Sequence, residues 1–375
     1  MTQVNVFTNE PVPCHSFSPD RSKVAISPNN NEVHIYKKDN SKWIQESILA
    51  QHDLRVTSID WAQKTNKIVS CSADKNAYVW SLNAGVWKPT LVILRIHRAA
   101  TVVRWSPNAD KFAVGSGDRT ISVCYFEEAN DWWICKHIKK PIKSTVTCLD
   151  WHHNNILLAC GSTDYRARIF SAYVKEVDQA NPEPSEWSLK QPSSTGHLIG
   201  EWTTGGGGWV HGVSFSLDGS KLAWVSHDSS ISIVDAKKNQ AVITVKTPDL
   251  PYLTLIWSSN RYIIAAGHDC CPMLYKYDEN SGKLECVEKL DKSTKKETDG
   301  FSAMRKFREL DKFAISLNDH HTTTSSNEST SDTIHQNSIK EIRAHSLSKN
   351  GSGVERISTV GLDGKMVFWD TSRYN

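Results

Sequence analysis

Several groups of residues in this chain have the types that catalysis or ligand binding needs, and each fails on spacing. Gly205–Gly208 is an unbroken glycine run, but no Gly-Lys-Ser/Thr follows it, so it is not a phosphate loop. Gly212-Val213-Ser214-Phe215-Ser216 has the first half of a nucleophile elbow and lacks the second glycine. His152-His153 and His320-His321 are adjacent pairs with no third ligand at zinc spacing. Neighbours on a strand point to opposite faces, so both pairs read as polar residues of surface turns. The nine cysteines include no Cys-x-x-Cys. Cys71 and Cys160 sit inside apolar runs, as buried reduced thiols do, and Cys270-Cys271 reads as packing. No catalytic residue, metal or cofactor is expected.

The carboxylates carry more information. A large apolar residue follows an Asp by six positions at Asp74–Trp80, Asp164–Phe170, Asp228–Val234, Asp269–Tyr275 and Asp363–Trp369. Weaker copies stand at Asn30–Tyr36 and Asp118–Cys124. The seven positions are separated by 44, 44, 46, 64, 41 and 94 residues. A second ladder, Phe17, Trp61, Trp105, Trp151, Phe215 and Trp257, has steps of 44, 44, 46, 64 and 42. Spacing this regular marks a structural element repeated once per unit, not a set of catalytic acids. In a tight turn the Asp carboxylate accepts backbone N–H bonds, and the aromatic supplies packing area between units.

The elements that hold these residues follow from one unit. Val56–Trp61 alternates apolar and polar, Ile68–Cys71 is a short apolar run, Ala77–Trp80 follows the Asp74 turn, and a further strand starts at Val86. Four strands in about 44 residues is the period of a propeller blade. The gaps are too short for crossover helices. The fold expected is therefore all-β: one seven-bladed propeller over residues 1–375. The long steps place a loop insertion at 177–197 and a larger insertion at 290–335. Only Asp370 to Asn375 follow Trp369, so the last blade has no fourth strand of its own. The alternating Val4-Asn5-Val6-Phe7 is expected to supply it and close the ring.

Composition agrees with a packed, soluble, intracellular chain. Of 375 residues, 39% are apolar, enough for a sizeable core. No apolar stretch is long enough to span a bilayer, and Met1 to Glu10 lacks the pattern of a secretory signal. A net charge of +3 does not call for nucleic-acid binding by the whole chain.

The second unit resembles the WD-repeat family: His52 before the first strand, Ser70 on the second, Asp74 in the turn and Trp80 ending the third. The resemblance implies that these four form a hydrogen-bonded structural chain inside the blade. Asp118, Asp164, Asp228, Asp269, Asp363 and Trp369 are the parts of it kept in other units.

Two features go beyond scaffold. Val86 to Lys143 has ten Lys/Arg against five Asp/Glu, including Lys88, Arg95, Arg98, Lys136, Lys139 and Lys140. Fourth strands lie at a propeller's rim, so this charge reads either as a surface for an acidic partner or as an edge guarded by cations. The second feature is in the 290–335 insertion. Phe301, Met304, Phe307, Leu310 and Ala314 recur at helical spacing, with Arg305, Lys306 and Arg308 between them. An amphipathic helix is expected over 300–314 between blades 6 and 7, followed by a disordered Ser/Thr-rich tract at 318–333. The helix either packs onto its own ring or projects toward a partner's groove.

The likeness narrows along the chain. Val33-His34-Ile35-Tyr36, Trp87 to Arg98, Cys124-Tyr125-Phe126, Lys136 to Pro141, Gly208 to Phe215 and Gly267 to Leu274 resemble the WD-repeat subunits of the actin-related protein 2/3 complex. That resemblance implies a non-enzymatic scaffold in a complex that nucleates branched actin filaments. Its implied partners are sister subunits, the mother filament and nucleation-promoting factors, with no nucleic acid and no membrane insertion. The implied location is the cytoplasmic actin cytoskeleton, in cortical patches or cell-edge networks. It favours a projecting helix, and it makes the basic rim a surface for sister subunits or an activator's acidic tail. Two rivals remain: a WD-repeat adaptor of another complex, and a propeller hydrolase, which would need titratable residues converging at the central channel.

Overall fold

The structure, a computed structural model, describes residues 2–40, 42–179, 185–187, 194–203, 206–292, 333–348, 351 and 353–374. The described residues form seven four-stranded antiparallel sheets and one short 3-10 turn, Ser372–Tyr374. Each sheet is one blade, and the first strands of the blades line a central channel.

Strand character changes from the channel outward. In blade 2 the second strand, Ile68–Ser72, is buried along its whole length. Its fourth strand, Val86–Val92, is mostly exposed. Inner strands are covered on both faces by neighbouring blades and so read as continuous apolar runs, whereas outer strands meet water. All six aromatics of the ladder (Phe17, Trp61, Trp105, Trp151, Phe215, Trp257) are buried at the ends of first strands.

A β-bulge sits at the same place in the first strand of blades 2 to 7, where the register shifts between Val56 and Ser58 and at the equivalent positions. In blades 2, 3 and 4 the bulged residue is Thr57, Thr101 or Thr147. Each hydroxyl donates to a backbone carbonyl at the start of the next blade, Ala100, Val146 and Val210 respectively. The bulge thus turns a side chain toward the neighbour and staples blade to blade. Gly115 lies opposite such a seam, and a Cβ there would stand 2.7 Å from Val146 Cγ1 of the next blade.

The ring closes as expected. Gln3–Val6 pairs antiparallel with Lys365–Phe368 and becomes the fourth strand of blade 7, beside strands Lys365–Asp370, Val354–Gly361 and Ile339–Leu347. Phe7 then packs edge-on to Tyr36 of blade 1, ring centroids 4.6 Å apart. Gly364, at φ 72°, leaves room for the Thr8 carbonyl where any side chain would collide.

The loop between the third and fourth strands of blade 4 is described only in part. Trp187 within it is buried, donates its indole N–H to the Gly219 carbonyl at 2.7 Å, and meets Trp202 edge-on. That anchor is absent from the reading of 177–197 as a plain loop. The expected helix over 300–314, with Phe301, Met304, Arg305, Lys306, Phe307, Arg308 and Leu310, lies outside the described residues, as does the Ser/Thr tract up to 332.

Candidate functional site

Five of the repeated Asp residues do the same work. Asp74 accepts the amide N–H of Asp53 at 3.0 Å, Asp118 that of His97 at 3.2 Å and Asp164 that of Lys143 at 2.9 Å. Asp269 accepts from Leu250 at 2.7 Å and Asp363 from Gln336 at 2.9 Å. Each bond fastens the turn between the second and third strands to the segment entering the first strand of the same blade. In blade 5 Asp228 accepts instead from the Ser230 hydroxyl at 2.6 Å.

Blade 2 extends this tie into a chain. Trp80 Nε1 donates to Ser70 Oγ at 2.9 Å, Ser70 Oγ donates to His52 Nε2 at 2.9 Å, and His52 Nδ1 donates to Asp74 at 2.8 Å. Blade 7 builds the same chain from Trp369, Thr359, His335 and Asp363, with steps of 2.9, 2.8 and 3.0 Å. His335 escapes the spacing rule because it precedes its Asp by 28 residues, where His52 precedes its own by 22, whereas Thr359 keeps the spacing of Ser70 with a different side chain. Blade 4 solves the problem differently. Cys160 stands where blade 2 has Ser70, and the fully buried Arg168 grips Asp164 through two nitrogens at 2.9 and 2.8 Å while its Nε donates to Glu201 at 2.6 Å.

A second constellation lies at the channel, whose cavity measures ≈ 810 Å³. Glu341 is its hub. Oε1 accepts from Arg104 at 2.9 Å and from Arg343 at 3.1 Å; Oε2 accepts from the His15 amide at 2.8 Å and meets His15 Nδ1 at 3.1 Å. Arg343 also donates to Asp60 at 3.0 Å, and Asp60 accepts the Trp105 amide at 2.7 Å. Blades 7, 1, 2 and 3 are joined by this belt. Burial pushes the Glu341 carboxyl up, but Arg343, His15 and Arg104 outweigh it and hold it far below the usual carboxylate range. Asp150, with weaker help, is pushed up by burial to about 6. Part of the belt has a sequence mark: Asp60 and Arg104 each immediately precede a ladder aromatic, as Ser16, Asp150 and Ser214 do in their own blades, and Arg343 holds the same place in blade 7.

The belt supplies the channel cluster that a hydrolase would need, and its geometry argues against one. Ser358 Oγ lies 2.7 Å from His15 Nε2, so Ser358, His15 and Glu341 have the connectivity of a nucleophile, base and orienting acid. Ser358 and His15 are both fully buried and neither lines the channel cavity, so no substrate carbonyl reaches the hydroxyl. The Ser358 hydroxyl also faces the Arg343 carbonyl at 3.4 Å. This trio joins blade 7 to blade 1 rather than presenting a nucleophile. Among the described residues no group of three or more His, Cys, Asp or Glu is arranged to hold a metal ion, and no helix is long and apolar enough to cross a membrane. His152, read above as a surface-turn residue, is buried against Phe215.

These environments give a pH dependence with a definite sign. Burial lowers His15 and His52, and brings His152 and His345 to about 4. Glu341 and Asp363 are held low by their partners. All of these bind protons less readily folded than unfolded, so acid favours the unfolded chain. Stability should fall below the ordinary histidine value of about 6.5 and fall further through about 4. Asp150, raised when folded, opposes this weakly. Melting curves between pH 7 and 4 check it, and a flat or rising midpoint would contradict the assignment.

The cations of the basic tract divide between two settings. Lys88 and Lys136 sit on the fourth strands of blades 2 and 3, Val86–Val92 and Trp132–Ile138. Lys136 pairs with Glu176 at 2.6 Å and lies over the Tyr125 ring. Arg95, Arg98, Lys139 and Lys140 are exposed in the loops leading to blades 3 and 4, so they face the side of the ring that carries the Asp turns rather than its outer edge. Of the exposed apolar side chains nearby in sequence, Ile93 shares the loop with Arg95 and Leu91 stands toward that end of its strand, whereas Val86 and Trp132 stand at the far ends of theirs, beside the hairpin turns. Exposed loop cations on a rigid support suit binding rather than chemistry.

Comparison with known proteins places the ring. Residues 43–81 match the family described as WD domain, G-beta repeat, and residues 103–186 match the WD40 domain of anaphase-promoting complex subunit 4. Longer similarities decide the family. The chain is 53% identical to actin-related protein 2/3 complex subunit 1A-A of Xenopus laevis over 365 residues, 97% of this chain and 95% of the frog protein. The chain belongs to the actin-related protein 2/3 complex subunit 1 family. Identity is 41% to subunit 1 of Schizosaccharomyces pombe, across 95% of both chains. It is 40% to subunit 1A of Arabidopsis thaliana, across 96% of this chain and 94% of the plant protein. Each of these subunit 1 relatives is named for a complex, none for a reaction.

Proposed function

We propose that this chain is a scaffold subunit of an actin-related protein 2/3 complex and supports nucleation of branched actin filaments by binding. The observation that supports this best is the 53% identity to a subunit 1 protein over nearly the whole chain. Its partners are the other subunits of that complex, the existing filament and nucleation-promoting factors, within the cytoplasmic actin cytoskeleton. The stapled blades and the belt around Glu341 make a ring stiff enough to hold neighbours in fixed register. Loop cations such as Arg95, Arg98, Lys139 and Lys140 meet acidic surfaces of sister subunits or an activator, and the 300–314 segment meets the filament. Adaptor duty in another complex is the lesser reading, because the anaphase-promoting likeness covers only residues 103–186.

Charge reversal at Arg305, Lys306 and Arg308 tests the binding role. Expected is a complex that assembles normally and forms markedly fewer branches in a fluorescence assay of growing filaments. Wild-type branch density would remove this segment from the mechanism.

A further inference from the structure

Cys124 and Cys135 are directly opposed residues on the third and fourth strands of blade 3, Ile121–Glu127 and Trp132–Ile138. Their sulfurs lie 2.9 Å apart, about an ångström from the length of a disulfide bond. Opposed residues of an antiparallel pair have Cβ atoms about 4.5–5.5 Å apart, and a disulfide asks for about 3.5–4.5 Å. Bond formation therefore needs a small inward shift of one strand. The fourth strand is the outermost of its blade, with no fifth strand of the sheet beyond it to resist that shift.

The geometry points to Cys124 and Cys135 as a peroxide-oxidisable dithiol, a modification site at the seam of blades 2 and 3. The two sulfurs differ in access. Cys124 is fully buried, and burial pushes its thiol well up. Cys135 is only half-buried, directly precedes Lys136 and His137, and its thiol points to the Ile93 carbonyl of the blade 2 to blade 3 loop at 3.6 Å. Access assigns the order. The Cys135 thiolate attacks one oxygen of hydrogen peroxide, the O–O bond breaks, hydroxide leaves and takes up a proton as water, and Cys135 becomes a sulfenic acid. Cys124 sulfur then attacks the sulfenic sulfur, the S–O bond breaks, and the departing hydroxide takes the Cys124 proton as a second water. Two thiols are oxidised to one disulfide while one peroxide is reduced to two waters.

Oxidation draws Cys135 away from the Ile93 carbonyl. Beside it, His137 Nε2 donates to the Leu94 carbonyl at 2.8 Å, so this strand is one of the supports of the loop bearing Arg95 and Arg98. The modification thus reports at a cationic surface without touching the channel.

The test uses the reduced full-length chain, exposed to graded hydrogen peroxide, blocked with N-ethylmaleimide and digested without reductant for mass spectrometry. Exposed Cys286 serves as an internal reference for general oxidation. Expected is a Cys124–Cys135 linked peptide that appears before Cys286 is consumed and disappears with dithiothreitol. In Cys124→Ala the link is lost and dimedone captures a sulfenic acid on Cys135. In Cys135→Ser, at the half-buried position, Cys124 stays a free thiol. Wild-type chain that keeps both thiols while Cys286 oxidises would overturn the proposal, as would dimedone capture of Cys135 equal to that of Cys124→Ala.

Discussion

Replacing Glu341 with alanine should destabilise the ring by about 3–5 kcal/mol, the usual result of removing one partner from a buried charge network. The side chain is 8% exposed and answers Arg104, Arg343 and His15 at once. Without it Arg104 loses the carboxylate it pairs with, Arg343 keeps its ion pair with Asp60, and the His15 amide loses its acceptor. Domains are stable by about 5–15 kcal/mol in total, so the loss is a large share. Urea denaturation measures it. Glu341→Gln keeps the shape and one acceptor and should fall between wild type and alanine. A change under about 1 kcal/mol for alanine, the range of a solvent-exposed pair, would show that the belt holds nothing together.

Deleting residues 2–9 should have a comparable effect by another route. The strand Gln3–Val6 is lost from blade 7, leaving the third strand, Lys365–Asp370, as an unpaired edge. Half-buried Phe7 leaves its place against Tyr36 and Trp43, which gives up part of the about 3–5 kcal/mol that truncating a fully buried Phe costs. An exposed edge is also a template for another chain. Both a lower melting midpoint and concentration-dependent association are expected. An unchanged melt with a monomeric elution profile would mean that the ring closes without this strand.

The outline of the molecule was legible because its repeat is local. Asp74 and Trp80 sit six residues apart in every conformation of the chain, so their beat survives as spacing. The seventh blade hid part of its chain of bonds because a longer first strand, with three register shifts, moved His335 away from the expected distance. The channel belt was harder still: His15 and Glu341 are 326 residues apart, and Arg104 and Glu341 are 237 apart. No window of sequence contains both partners, and only the ring's closure brings them together. The cations at Arg95, Arg98, Lys139 and Lys140 are visible in the sequence as a tract, but the tract alone does not say which face of the ring they occupy. Composition reports charge, whereas the face is set by where each strand stops. The Cys124–Cys135 contact depended on hairpin register, which the turn at 128–131 fixes only once the strands pair.

The most direct test of the account is purification of the chain from its own cells at its natural abundance, with identification and quantification of what comes with it. Actin-related proteins 2 and 3 in equal amounts, together with the remaining subunits, are the predicted result. A stable assembly that lacks both actin-related proteins would contradict it.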